Sequence, residues 1–273
     1  AMRNERGAAI SNIVILNDVV LQSDSLVHIQ AIGNTGQNPS PGPTNTFAGN
    51  VSGSGKLTLT APGSNRDAGT LILNGHNTYS GGTLVTGGIL QALGASATFG
   101  TGDVTVDNAN APAAIARISI DSSVLDAIAD TATLSMVQSI AAGTTFPSGY
   151  AILGAGVNEY VAALNLDGVP QALGTYGSTA SSAANQSDIF WQGTGIVTVG
   201  PKPPSLTIKL VAPNVIISWP TNNSAGFVLQ EASVLASPTV WTDVTTPVVI
   251  SGGNNTVTVP VSSGNKFFRL RMP

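Results

Sequence analysis

Aliphatic residues fall on alternate positions in short runs along this chain, and most of the runs open on a glycine. The unit Gly, any residue, aliphatic, any residue, aliphatic stands at Gly55-Lys56-Leu57-Thr58-Leu59, Gly69-Thr70-Leu71-Ile72-Leu73, Gly102-Asp103-Val104-Thr105-Val106 and Gly195-Ile196-Val197-Thr198-Val199, with looser copies at Gly82-Thr83-Leu84 and Gly88-Ile89-Leu90. A period of two puts successive side chains on opposite faces of an extended backbone, so each unit predicts a short strand with one buried face. Asn74-Gly75-His76-Asn77, Ser80-Gly81-Gly82 and Thr86-Gly87-Gly88 separate these runs with turn-forming residues. Strands this short cannot bury an apolar face alone, so they pair as a sandwich or stack as the coils of a solenoid. The close spacing of corners favours stacking, with Leu57, Leu59, Leu71, Leu73, Leu84, Ile89 and Leu90 facing inward as ladders. Burial of each such side chain contributes about 1.5–3 kcal/mol.

Over residues 121–140 the pattern changes. Val124, Leu125, Ile128 and Ala129 have helical spacing and Leu134 and Met136 alternate, which predicts a short helical turn leading into a strand. Strand patterns return at 150–153 and 161–166 and end at 194–199. Gly200-Pro201-Lys202-Pro203-Pro204 predicts an extended linker, because proline favours polyproline II. The expected organisation is a coiled all-β domain over 1–199, a Pro-rich linker over 200–205 and a second domain over 206–273. Seven alternating segments, 206–210, 215–219, 227–231, 241–244, 248–250, 255–259 and 267–270, make that second domain a small β-sandwich of immunoglobulin or fibronectin type.

Composition narrows the function. Hydrophobic residues are 42% of the chain and charged residues 9%, so a core is present under a surface of neutral hydroxyl and amide groups. The net charge of −4 and the scattered basic residues exclude a nucleic-acid partner, which requires clustered cations. Without cysteine there is neither a disulfide framework nor a thiolate zinc site. No run of about 18 apolar residues occurs, so no transmembrane helix is expected.

The segment Gly69-Thr70-Leu71-Ile72-Leu73-Asn74-Gly75-His76-Asn77-Thr78-Tyr79-Ser80-Gly81-Gly82-Thr83-Leu84-Val85-Thr86-Gly87-Gly88-Ile89-Leu90-Gln91 resembles the autotransporter-associated β-strand repeat of bacterial passenger proteins. Phe47-Ala48-Gly49-Asn50-Val51 through Leu59 is similar to the lead-in of that repeat, and the terminal Phe267-Phe268-Arg269-Leu270 resembles a C-terminal module of the same exported proteins. The resemblance implies a right-handed parallel β-helix outside the cell or on its surface, and a repeat that assists passenger folding while contributing no catalytic residue. The outer-membrane barrel of a conventional autotransporter has no counterpart in this pattern. That leaves two readings, a fragment or a relative exported by another route.

Candidate chemistry is sparse. His28 and His76 stand alone, with His76 in a predicted corner, and a metal needs three or four ligands together. Gly53-Ser54-Gly55-Lys56 lacks the glycine and the hydroxyl residue that a phosphate loop needs at Asn50 and Leu57. Gly100-Thr101-Gly102-Asp103 is one unrepeated piece of a calcium nonapeptide. Asp121, Asp126 and Asp130 could offer carboxylates along one helical turn, although Asp121 reads more simply as a cap. Trp219 and Trp241 fall in the predicted sandwich core, which leaves Trp191 as the candidate exposed contact for a glycan or protein partner. The expectation is therefore a non-catalytic extracellular structural or adhesive protein without cofactor, self-associating into an oligomer or filament through coil ends and strand edges. The rival is a carbohydrate-binding or glycan-active β-helix, for which an aromatic content of 5% is thin material.

Overall fold

The computed structural model describes residues 2–5, 12–30, 43–61, 69–109, 116–138, 149–222, 224–236 and 238–272. Every regular element among them is a strand, so the fold is all-β. The chain divides into two compact units, Ala1–Gly200 and Pro201–Pro273.

In the first unit the backbone visits two long sheets in turn and adds a strand to each on every circuit. One sheet carries Met2–Glu5, Ser25–Gln30, Leu57–Thr60, Thr83–Val85, Val104–Asp107, Thr133–Val137 and Ala163–Leu166 in parallel, and Val169–Pro170 then turns back antiparallel on its last strand. The other is parallel throughout, from Ile13–Ile15 through Thr44–Phe47, Thr70–Leu73, Gly88–Ala92, Ala116–Ile120 and Ala151–Leu153 to Trp191–Gly193. Parallel strands need a crossover rather than a hairpin, and here each sheet is the crossover of the other.

Register turns alternation into ladders. Leu57, Thr83, Val104, Leu134 and Leu164 face one another across successive strands, as do Leu59, Val85, Val106, Met136 and Leu166. In the other sheet Leu71, Leu90, Ile118, Ala151 and Trp191 form one ladder, and Leu73, Ala92, Ile120 and Leu153 form another. Leu57, Leu59, Leu71, Leu73 and Leu90 are buried as expected. Leu84 and Ile89 are not: both are half-buried and outward, while Thr83, Val85 and Gly88 take the inner positions. The pairing of Leu57 with Thr83 sets this phase, and a strand of period two has no freedom to bury Leu84 as well.

The predicted helical turn is also replaced. Residues 121–132 form two successive turns, closed by Val124 N–H to the Asp121 carbonyl and Ala132 N–H to the Ala129 carbonyl. Val124, Ala127 and Ile128 are buried from this corner, Val124 at the close of the first turn and Ala127 and Ile128 between the turns with their N–H groups held by Glu159, which mimics helical spacing. Ser139 and Ile140, the end of that predicted region, lie outside the described residues.

The second unit holds two antiparallel sheets. Thr207–Val211, Asn214–Pro220, Asn254–Pro260 and Val249–Ser251 follow one another in the first, and Thr242–Asp243, Val228–Ala232 and Phe267–Arg271 make the second. Ile217, Trp219, Val257 and Val259 from the first sheet share a buried cluster with Leu229 and Leu270 from the second.

Candidate functional site

The most organised polar chemistry in the first unit lies at residues 74–103, where the chain is hydrogen-bonded to the circuits on both sides. Thr78 N–H and Ser80 N–H donate to the carbonyls of Val51 and Gly53, and Thr98 N–H and Thr101 N–H donate to those of Gly75 and Tyr79. Asn77, 1% exposed, locks this corner. Its Oδ1 accepts the Val51 N–H at 2.7 Å, its Nδ2 donates to the Thr98 carbonyl at 2.6 Å, and its backbone N–H donates to Thr98 Oγ1 at 2.8 Å. Thr98 Oγ1 returns its proton to the Asn77 carbonyl at 2.8 Å. One amide side chain thus joins three consecutive circuits.

Beside it, Tyr79 is fully buried and its hydroxyl lies 2.6 Å from Thr83 Oγ1. Thr83 spends its one proton on the Phe99 carbonyl at 2.7 Å, so the phenol is the donor. Burial pushes the Tyr79 phenol well above its ordinary range, against a smaller opposite pull from Thr83, so it remains a neutral donor. This bond explains why a threonine sits in the aliphatic ladder: its polar atom is satisfied inside the core.

Glycine at the corners is required by proximity. A Cβ on Gly75 would stand 2.4 Å from the Gly49 carbonyl oxygen, and one on Gly81 would stand 2.4 Å from the Gly55 carbonyl carbon. Outside this column lies an open recess of about 520 Å³, walled by Ser80, Gly81, Gly82 and Gly102 and flanked by Lys56 and Asp103. Asp103 Oδ1 accepts the Thr133 N–H at 2.8 Å, so one oxygen of that carboxylate is engaged in joining circuits.

The same use recurs along the unit. Asp18 and Asp24 accept the N–H groups of Asn50 and Lys56 at 2.7 and 3.0 Å, and Asp167 accepts that of Gln138 at 2.7 Å. Glu159, 1% exposed, takes the N–H of Ala127 on both oxygens and that of Ile128 on one, all at 3.0 Å. Sequence reasoning passed over Glu159, Asn77, Tyr79 and Thr83. The available signal was a carboxylate or amide standing at an inward phase beside Val161 or Tyr79.

The residues singled out from sequence are dispersed. His76 is exposed at its corner and His28 lies in the strand Ser25–Gln30. Among the described residues no three His, Asp or Glu side chains come together as a metal site. Asp121 caps its own turn, accepting from Ser123 N–H at 2.9 Å and from Ser123 Oγ at 2.6 Å, and these bonds hold its carboxyl below the usual range. Trp191 is corrected from exposed contact to core residue. It is 1% exposed and sits in its ladder against Ala151, whose small side chain leaves room for an indole, so it offers no face to a sugar. Trp219 is buried, but Trp241, also expected in a core, is half-buried with the Arg269 guanidinium 4.4 Å above its ring.

No helix among the described residues is long and apolar enough to cross a membrane. Residues 66–92 match the family model of the passenger-associated-transport-repeat, and this stretch holds Asn77, Tyr79, Gly81 and Thr83. The match makes it a passenger-type repeat, a feature of secreted or surface-exposed passenger segments. No curated protein matches the chain, and no solved structure does.

Proposed function

We propose that the chain is a non-catalytic passenger of the exported type, in which the first unit is a right-handed parallel β-helix serving as a stalk and the second a β-sandwich serving as an interaction module. The observation that carries this reading is the Asn77 clamp. It lies inside the matched repeat and binds the circuit before it and the circuit after it. A chain that reaches the outside unfolded has to build its coil by adding one circuit to the last. A corner that presents an acceptor to Val51 and a donor to Thr98 sets the register of that addition on both sides.

The disposition of carboxylates supports a structural rather than a catalytic role. Asp18, Asp24, Asp103, Asp167 and Glu159 each accept backbone N–H groups of a neighbouring segment, which makes them parts of the stack. Outward apolar residues on the early strands and turns, Val14, Leu16 and Val20, are exposed and extend the reading to self-association through strand edges.

The test uses cells that make the protein natively. Proteinase K added outside intact cells should remove the chain while a cytoplasmic marker survives. Protection of the chain until the cells are lysed would overturn the passenger reading. Negative-stain electron microscopy of purified material checks self-association, which predicts end-joined rods and is refuted by isolated particles at every concentration.

A further inference from the structure

The outer face of the three-stranded sheet in the second unit carries an arrangement that neither the stalk nor the core uses. Gln230 in Val228–Ala232 is paired across the sheet with Asp243 on one side and Arg269 on the other, which puts the three side chains in one row. Gln230 is only 4% exposed, and both ends of its amide are engaged. Oε1 accepts the Arg269 Nε–H at 2.9 Å, and Nε2 donates to Asp243 Oδ1 at 2.8 Å. The Arg269 guanidinium lies over Trp241, 4.4 Å from the ring centroid. Arg269, Arg271 and Asp243 are all exposed.

We propose that this face binds the carboxylate of a sugar acid, with Arg269 as the principal cation and a uronate-bearing polysaccharide as the ligand. A guanidinium has five N–H donors. Here Nε is tied to Gln230 and the guanidinium carbon rests over the indole, so the two terminal amino groups form a held fork, the group that accepts a carboxylate bidentately. Arg271 lies two residues along the same strand, hence on the same face about 7 Å away, and makes no ion pair among the described residues. The face thus sets two cations against one carboxylate on a chain whose net charge is −4.

Asp243 decides between kinds of anion. Beside a bare inorganic anion its carboxylate is repulsive. Beside a ligand with hydroxyl groups next to its carboxylate it is an acceptor for them, already oriented by Gln230. The half-buried Trp241 is the platform that holds the guanidinium in place. The row satisfies the buried Gln230 amide, but this uses only Nε of Arg269 and leaves the two terminal amino groups of the guanidinium for a ligand. Holding the fork in advance also lowers the cost of binding.

The experiment is affinity electrophoresis and titration calorimetry of the full chain with soluble polygalacturonate, with neutral dextran and inorganic phosphate as comparison probes. The wild-type chain should bind polygalacturonate, weaken as salt is raised, and ignore dextran. Arg269→Gln should weaken binding by about tenfold to a hundredfold, the size of a charged hydrogen-bonded pair. Arg269→Lys should not restore it, since the charge returns without the fork. Arg271→Gln leaves the indole stack untouched and provides a second variant with a smaller loss, read beside unchanged far-UV circular dichroism. Absence of polygalacturonate binding, equal binding by Arg269→Gln, or equal competition by phosphate would each overturn the proposal. None of these outcomes bears on whether the chain is an exported passenger.

Discussion

Removing the Asn77 side chain should loosen two circuits at once while leaving distant ones intact. In Asn77→Ala the buried Val51 N–H loses its acceptor and the Thr98 carbonyl loses the Nδ2 donor, while the two bonds between the Asn77 backbone and Thr98 Oγ1 survive. A buried polar group left unpaired costs about 1–3 kcal/mol, so the two together cost about 2–6 kcal/mol. Stacked circuits do not unfold as one unit, which makes native-state amide hydrogen exchange a better readout than a single midpoint. At about 1.4 kcal/mol per factor of ten, amides of residues 51–53 and 98–101 should exchange about 30-fold to 20,000-fold faster. Those of Ala116–Ile120 should change much less. The comparison variant is Tyr79→Phe, in which Thr83 keeps its bond to the Phe99 carbonyl, so the cost falls to about 1 kcal/mol. If Asn77→Ala changes exchange at Val51 by less than about threefold, or if Tyr79→Phe acts equally, the clamp is not what joins these circuits.

Glu159→Leu should weaken the protection of amides around residues 127 and 128 by about 2–6 kcal/mol in native-state hydrogen exchange, since the Ala127 and Ile128 N–H groups lose their acceptors, and Glu159→Gln by less because one acceptor oxygen remains. Gly75→Ala drives a Cβ to 2.4 Å from the Gly49 carbonyl oxygen and should cost about 3 kcal/mol or prevent folding, measured by thermal unfolding. The Asp121 carboxyl, depressed first by the Ser123 hydroxyl and then by backbone N–H groups, should titrate below the ordinary aspartate range by NMR, and Ser123→Ala should move it upward. Because its folded value is the lower one, its contribution to stability is present above the unfolded value and disappears as pH falls through the folded value.

Alternation made the strands legible, and the same simplicity set its limit. A five-residue pattern such as Gly55-Lys56-Leu57-Thr58-Leu59 declares both a strand and its inner face, because the outer residues are polar. At Thr83-Leu84-Val85 both phases carry an aliphatic, so hydrophobicity alone chose Leu84, and the choice was made by the register with Leu57 and by the Tyr79 hydroxyl that satisfies Thr83. Trp191 escaped because nothing near it alternates and its neighbour in the ladder, Ala151, is remote in sequence. The Arg269, Gln230 and Asp243 row was invisible for the same reason, since it exists only after three strands have paired.

Varying circuit length explains why the stacked parallel strands do not announce themselves as a fixed period. The corner bonds of Asp18 and Asp24 span 32 residues each, those of Asn77 span 26 and 21, and that of Asp103 spans 30, while the bond from Thr198 Oγ1 to Asn158 Oδ1 between two strands spans 40. What stays constant is the strand phase and the presence of a side chain at the corner able to take or give a hydrogen bond to the adjoining circuit. Length can then vary freely between strands, because a longer connection adds little closure entropy, about 0.6 kcal/mol per doubling. A slipped phase would instead turn a ladder such as Leu71, Leu90 and Ile118 outward at once. What the parallel sheets of this unit keep fixed is therefore register rather than connection length, and at Asn77 both neighbouring registers are held by one residue.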